Sequence, residues 1–349
     1  MYYFLMISQQ KQAIMRFKTL LLIFTIIATV GTADVKAQDF HFTQFDMSPL
    51  TLNPALTGAY EGTFRIGGVY RDQWASVLGN PFRTPSFYID APIIRGFRSS
   101  DWIGVGISVL SDQVGAYNYQ NTVMGASLAY HIGVGKTTIS IGGQYNNVSR
   151  RVDRTLIEMA DNWDSSTGGF LGISSDATNF AENSSFADIS AGINLSTPLS
   201  DKVKLNAGVS AGHLNAPVDG FQATEALDVR VTAHAKADID LNAKWVLTPT
   251  LLFQTLGNAQ EVNGALMIGY RVKDNFLLQY GQGWRVGDAT NAILAIQYDR
   301  LRAGISYDIN ISDLNSISNS QGGFELGVSY IARIFSEPKS KPVIFCPRF

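Results

Sequence analysis

The stretch Ala187-Asp188-Ile189-Ser190-Ala191-Gly192-Ile193-Asn194-Leu195 alternates apolar residues with polar or small ones. Successive side chains of a strand point to opposite faces, so this stretch has one apolar face and one polar face. The same period of two runs through Ile103, Val105, Ile107 and Val109, set against Gly104, Gly106 and Ser108. It recurs in Val229, Val231, Ala233, Ala235, Ala237 and Ile239, set against Arg230, Thr232, His234, Lys236 and Asp238. About fourteen such segments are expected, near 62–74, 83–91, 101–112, 117–131, 137–149, 185–196, 202–214, 228–239, 244–255, 261–271, 275–285, 290–299, 301–310 and 322–332. Most are longer than the usual globular strand of about five or six residues. Tilted strands that cross a bilayer need roughly that length. Arg230, His234, Lys236, Asp238, Lys204 and Glu325 fall on the polar face, where unpaired charges could not line a dry core but can line a wet lumen.

The connections point the same way. Those after even segments are mostly tight, as at Gly133 to Lys136, Pro198 to Asp201 and Asp299-Arg300. Those after odd segments are mostly longer, above all Arg150 to Ser184. Short periplasmic turns and long outer loops are the pattern of outer-membrane barrels. Aromatic residues mark both borders on the apolar face: Tyr130, Tyr270, Tyr298 and Tyr330 towards one, Tyr145, Trp284 and Tyr307 towards the other. A soluble β-sandwich alternates too, but calls for neither two aromatic rings nor strands this long. The fold class is therefore expected to be all-β, a transmembrane antiparallel β-barrel of about fourteen strands. Its even strand count would put both termini in the periplasm.

Composition agrees. Charged residues make up 16% of the 349, where soluble domains carry about a quarter. A net charge of −2 offers no basic stripe, so nucleic acid is not an expected partner. Arg16 and Lys18 precede an apolar run from Leu20 to Val30, followed by Val35-Lys36-Ala37. That order reads as a secretory signal over 1–37, with Met15 as an alternative start. The run is about half the length of a spanning helix. The expected organisation is then a periplasmic or plug segment over 38–61, a barrel over 62–335 and a periplasmic tail over 336–349. The segment 38–60 lacks alternation, yet Phe40, Phe42, Phe45, Leu50, Leu52 and Leu56 make it too apolar for a free linker. It is expected to pack inside or across the periplasmic mouth through Phe42, Phe45 and Leu52, with Asn53-Pro54 making a turn.

The run Phe42-Thr43-Gln44-Phe45, then Met47-Ser48-Pro49-Leu50-Thr51-Leu52-Asn53-Pro54-Ala55-Leu56-Thr57-Gly58, resembles the N-terminal signature of the PorP/SprF family. Tyr70-Arg71-Asp72-Gln73-Trp74, Pro85 to Pro92 and Asp112 to Gly115 extend the resemblance, although Leu56 and Thr57 stand where a small residue is common. It implies an outer-membrane accessory component of the type IX secretion system of Bacteroidota. Such a barrel assists export or surface anchoring of a large secreted adhesin bearing a type IX C-terminal domain, as in gliding motility. Implied partners are that adhesin, other type IX secretion components, a periplasmic peptidoglycan-associated protein and outer-membrane lipid. Phe42, Gln44, Phe45, Leu52, Asn53, Pro54, Arg71 and Trp74 are the residues expected to serve partner binding or the plug. The alternative function is an outer-membrane channel or uptake barrel for a small solute.

Chemistry is not expected. Gly104-Val105-Gly106 is followed by no helix to receive a phosphate. His41, His131, His213 and His234 lack metal spacing and read as lumen or interface residues. The polar run Asp161 to Gly168 could chelate calcium but lacks the closing glutamate of a calcium loop. No serine sits in a nucleophile-elbow context, and Cys346 is the one cysteine. Neither a catalytic site nor a cofactor is expected. Arg150, Arg151 and Arg154 form a solvated loop base or a site for an anionic surface partner.

Overall fold

The structure is a computed structural model and describes residues 41–75, 80–95, 100–115, 118–179, 181–218, 226–313 and 315–334. The expected signal segment, residues 38–40, the tail 336–349 and Cys346 lie outside the described residues. Five strands come first: β1 (Phe64–Gln73), β2 (Phe82–Arg95), β3 (Trp102–Val114), β4 (Tyr119–Val134) and β5 (Thr137–Arg151). A small hairpin, β6 (Trp163–Asp164) and β7 (Gly169–Phe170), sits in the long connection that follows. Next come β8 (Asn183–Ser200), β9 (Val203–Gly212), β10 (Arg230–Asp240), β11 (Trp245–Leu256) and β12 (Ala259–Lys273). The chain continues with β13 (Phe276–Arg285), β14 (Ala289–Tyr298), β15 (Leu301–Asn310) and β16 (Gln321–Ala332).

The fourteen strands other than β6 and β7 form one closed antiparallel barrel, each paired with the next along the chain. Closure is made by β1 on β16, from Phe64 opposite Ala332 to Gln73 opposite Gly323. A closed sheet has no edge, so its backbone groups are paired within the wall, as a hydrocarbon environment requires. Every expected segment forms a strand, with ends shifted by a few residues.

The wall is inverted relative to a soluble protein. On β5, Ile139, Ile141 and Tyr145 are exposed, whereas Ser140, Gln144 and Asn146 between them are buried. On β8, Ile189 and Ile193 are exposed while Asp188, Ser190 and Asn194 are buried. Apolar residues outside and polar residues inside is the arrangement of a wall that meets lipid. The side-chain phase read from the sequence is the one observed.

The barrel has a short-turn end, where the chain enters β1 and leaves β16, and a long-loop end. At the long-loop end the connection 152–182 is folded rather than extended. The Asp161 carboxylate accepts hydrogen bonds from the Ser174 and Ser175 hydroxyls, and Asp164 accepts them from Ser166 and Thr167. These two carboxylates are thus engaged within the loop. Among the described residues no cluster of His, Cys, Asp or Glu is arranged to hold a metal ion.

Candidate functional site

The site is built by the leader, residues 41–58, which lies inside the barrel. Its backbone forms short turns: a 3-10 turn at Phe45–Met47, an α-turn at Pro49–Leu52 and a second 3-10 turn at Pro54–Leu56. Of these, the sequence suggested only the turn at Asn53-Pro54. Pro49 and Pro54 each open one, a position where the missing N–H costs nothing. Asn53 is extended (φ −160°, ψ 120°), as a residue before proline tends to be, and its Oδ1 caps the next turn by accepting the Ala55 N–H at 2.9 Å.

The wall is shaped to receive this segment. Asn53 Nδ2 donates to the carbonyls of Ile193 (β8) and Val209 (β9) at 3.0 and 3.4 Å, and lies 3.2 Å from His234 Nε2. A Cβ on Gly192 would stand 2.1 Å from Asn53 Oδ1, and one on Gly142 would stand 2.5 Å from Ala55 N. Glycine at those inward positions is what lets the two backbones approach. Further along, Thr57 donates to Ser127 at 2.9 Å, and the Thr57 carbonyl faces His131 Nε2 at 2.8 Å. The His131 ring stacks on Trp102, whose indole N–H donates to the Gly58 carbonyl. Apolar contacts fill the rest: Phe42 and Met47 pack on Val69 and Leu110, and Phe45 and Leu52 pack on Leu252.

Charged groups fix the upstream end. The Glu325 carboxylate, fully buried, accepts the backbone N–H groups of Thr43 and Gln44 at 2.6 and 2.9 Å and pairs with Arg71. Asp308 accepts the Thr43 hydroxyl at 2.7 Å and pairs with Arg71 and Arg285 at 2.9 and 3.2 Å. Arg285 also donates to the Thr43 hydroxyl at 2.9 Å. Buried charges persist only when paired and hydrogen-bonded, and here the leader supplies part of that pairing. Lower in the lumen, Asp46 lies between Lys236 at 3.0 Å and Arg302 at 2.8 Å. His41 Nδ1 lies 3.7 Å from the Glu261 carboxylate.

Beneath Asp46 and Met47 a cavity of about 760 Å³ opens towards the short-turn end. Its rim is formed by the turns around Ser200 to Lys204 and Asp274 to Phe276, and by Asp299-Arg300. Acidic and basic side chains such as Asp201, Lys204, Asp238 and Arg271 line it together with apolar ones such as Val246 and Phe276.

Seven of the eight residues singled out in the sequence come together in the lumen. Phe42, Gln44, Phe45, Leu52, Asn53 and Pro54 belong to the leader, and Arg71 to the wall that grips it. Trp74 does not join them: it turns with φ +60° at the end of β1 and packs edge-on against Phe82 at 5.0 Å. Both termini themselves, expected on one side, lie outside the described residues. The described chain starts with His41 beside Glu261, near the β11–β12 turn at the long-loop end, while Ala332 and Ile334 close on Thr63 at the other. Asp46, Asp90, Arg285, Arg302 and Asp308 were not singled out. The signal that could have found the wall residues among them is a charge on the inward phase of a strand.

The solved structures similar to this chain are outer-membrane barrels. A mutant of the monoaromatic hydrocarbon channel TodX matches at 11% identity with a TM-score of 0.50, over 82% of this chain and 94% of that one. The Ralstonia pickettii toluene transporter TbuX matches at 11% identity with a TM-score of 0.49, over 82% and 94%. The Pseudomonas putida toluene transporter TodX matches at 12% with a TM-score of 0.49, over 82% and 93%. At such identity the likeness speaks for the fold alone. No curated protein matches the chain. Residues 34–330 match the family described as type IX secretion system membrane protein PorP/SprF, and with that match over most of its length the chain belongs to this family.

Proposed function

We propose that this protein is an accessory docking barrel of the type IX secretion system, one that assists export or surface anchoring of a large secreted adhesin and carries no solute. The observation that carries this reading is the occupied lumen. The leader bonds to β1, β4, β8, β9, β15 and β16, and among the described residues a vestibule opens at the short-turn end. With long loops outward, that vestibule faces the periplasm, where other secretion components and a peptidoglycan-associated protein are available. Family membership supports partners of that class. The alternative is a small-solute channel, as the names of the similar toluene transporters would suggest. The leader argues against a through-channel, because it bonds to inward-facing groups of β4, β8, β15 and β16 across the lumen.

The test is deletion of the gene, followed by an inventory of surface and secreted proteins beside growth on a panel of small nutrients. Loss of one large surface protein from the cell, with growth unchanged, is the expected outcome. Normal surface proteins together with a defect in taking up one solute would replace this reading with the channel.

A further inference from the structure

We propose that the leader is a strap through the lumen whose upstream end is delivered at the long-loop mouth, so that the mature N-terminus and the end of β16 open on opposite sides of the membrane. The inference rests on the long-loop end facing outward, as in the reading above, and on signal cleavage near Ala37.

The path is fixed by named contacts. Gly58, at the downstream end, donates its N–H to Asp90 at 2.7 Å, and Asp90 pairs with Arg65 in the short-turn half of β1 and β2. Thr43, near the upstream end, is held by Arg71, Arg285 and Asp308. Those three lie in the last rungs of β1, β13 and β15 before the long-loop connections. Arg285 also pairs with Asp288 in the β13–β14 loop, at the long-loop surface. The leader therefore begins at one mouth and ends at the other, meandering between them.

Chain length then decides where the N-terminus goes. From a cleavage site after Ala37 to His41 there are three residues, which reach roughly 10 Å at most. The apolar band of an outer-membrane barrel is about 25 Å tall. The mature end cannot return from His41 to the short-turn mouth. Electrostatics oppose withdrawal as well. If Thr43 and Gln44 left, the Glu325 carboxylate would lose two N–H donors and keep Arg71 alone.

A short epitope inserted between Gln38 and Asp39 tests this, in the full-length chain with Cys346→Ser. Two sibling chains carry Ser166→Cys in the long loop or Ser200→Cys in a short turn, read with a membrane-impermeant maleimide. In intact cells the epitope should bind antibody to the same extent as after permeabilisation, and Ser166→Cys should label while Ser200→Cys should not. An epitope that follows Ser200→Cys, or one that antibody reaches from neither side while Ser166→Cys labels, overturns the proposal. If the whole barrel were oriented the other way, Ser200→Cys would label in intact cells and Ser166→Cys would not. The epitope should then still track Ser166→Cys, so a failed orientation is told apart from a failed strap. Should the insertion block folding, Asp39→Cys read with the same maleimide gives the same comparison.

Discussion

Asn53 and Gly192 carry much of the site between them. The amide of Asn53 reaches two wall carbonyls and His234, and it can do so because residue 192 has no side chain. Gly192→Ala should therefore expel the Asn53 side chain, at a cost of about 1–3 kcal/mol for the lost hydrogen bonds. Gly143→Ala is the control, since a Cβ there meets a single atom, at 3.9 Å. A lower thermal midpoint for the first substitution and an unchanged one for the second is the expected result. Equal effects would mean that the leader does not press on the wall at this point. At this scale the sequence was half legible. Period-two alternation told which side chains point inward, because the two faces of a strand are geometrically fixed. Which inward charge pairs with which depends on register across several strands and on the leader, so Asp308 with Arg71 and Asp46 with Arg302 were beyond it.

Among the elements, strands were legible and the leader only partly so. Ten or more alternating residues give a strong signal, and the tight turns at Gly133 to Lys136 and Asp299-Arg300 delimit it. The leader's turns are three or four residues long, too short for any helical period, and tertiary bonds from the wall stabilise them. Their placement makes a direct prediction. A Cβ on Gly327 of β16 would stand 3.3 Å from Met47 Cβ, close to the spacing a disulfide spans. In a Cys346→Ser background, Met47→Cys with Gly327→Cys should oxidise spontaneously in the folded barrel and join the leader to β16. Detection is by mass spectrometry of the peptide pair. Free thiols at both positions in folded, oxidised protein would place the leader elsewhere.

The whole molecule is a barrel whose apolar residues face lipid, whose polar residues face inward, and whose lumen holds its own N-terminal segment. Family and fold could be read in advance because each rests on extended patterns: fourteen alternating segments, and a signature spanning Phe42 to Gly58. The course of the leader could not, since its bonds depend on inward side chains brought together from several strands. Docking and conduction differ most at this scale. Ionic current through purified barrels in a planar bilayer is the most direct test of the docking function. The full mature chain should give no steady conductance, whereas a chain lacking Phe42–Leu56 should give large, steady open steps; steady ohmic conductance from the full chain, equal to that of the shortened one, would contradict it.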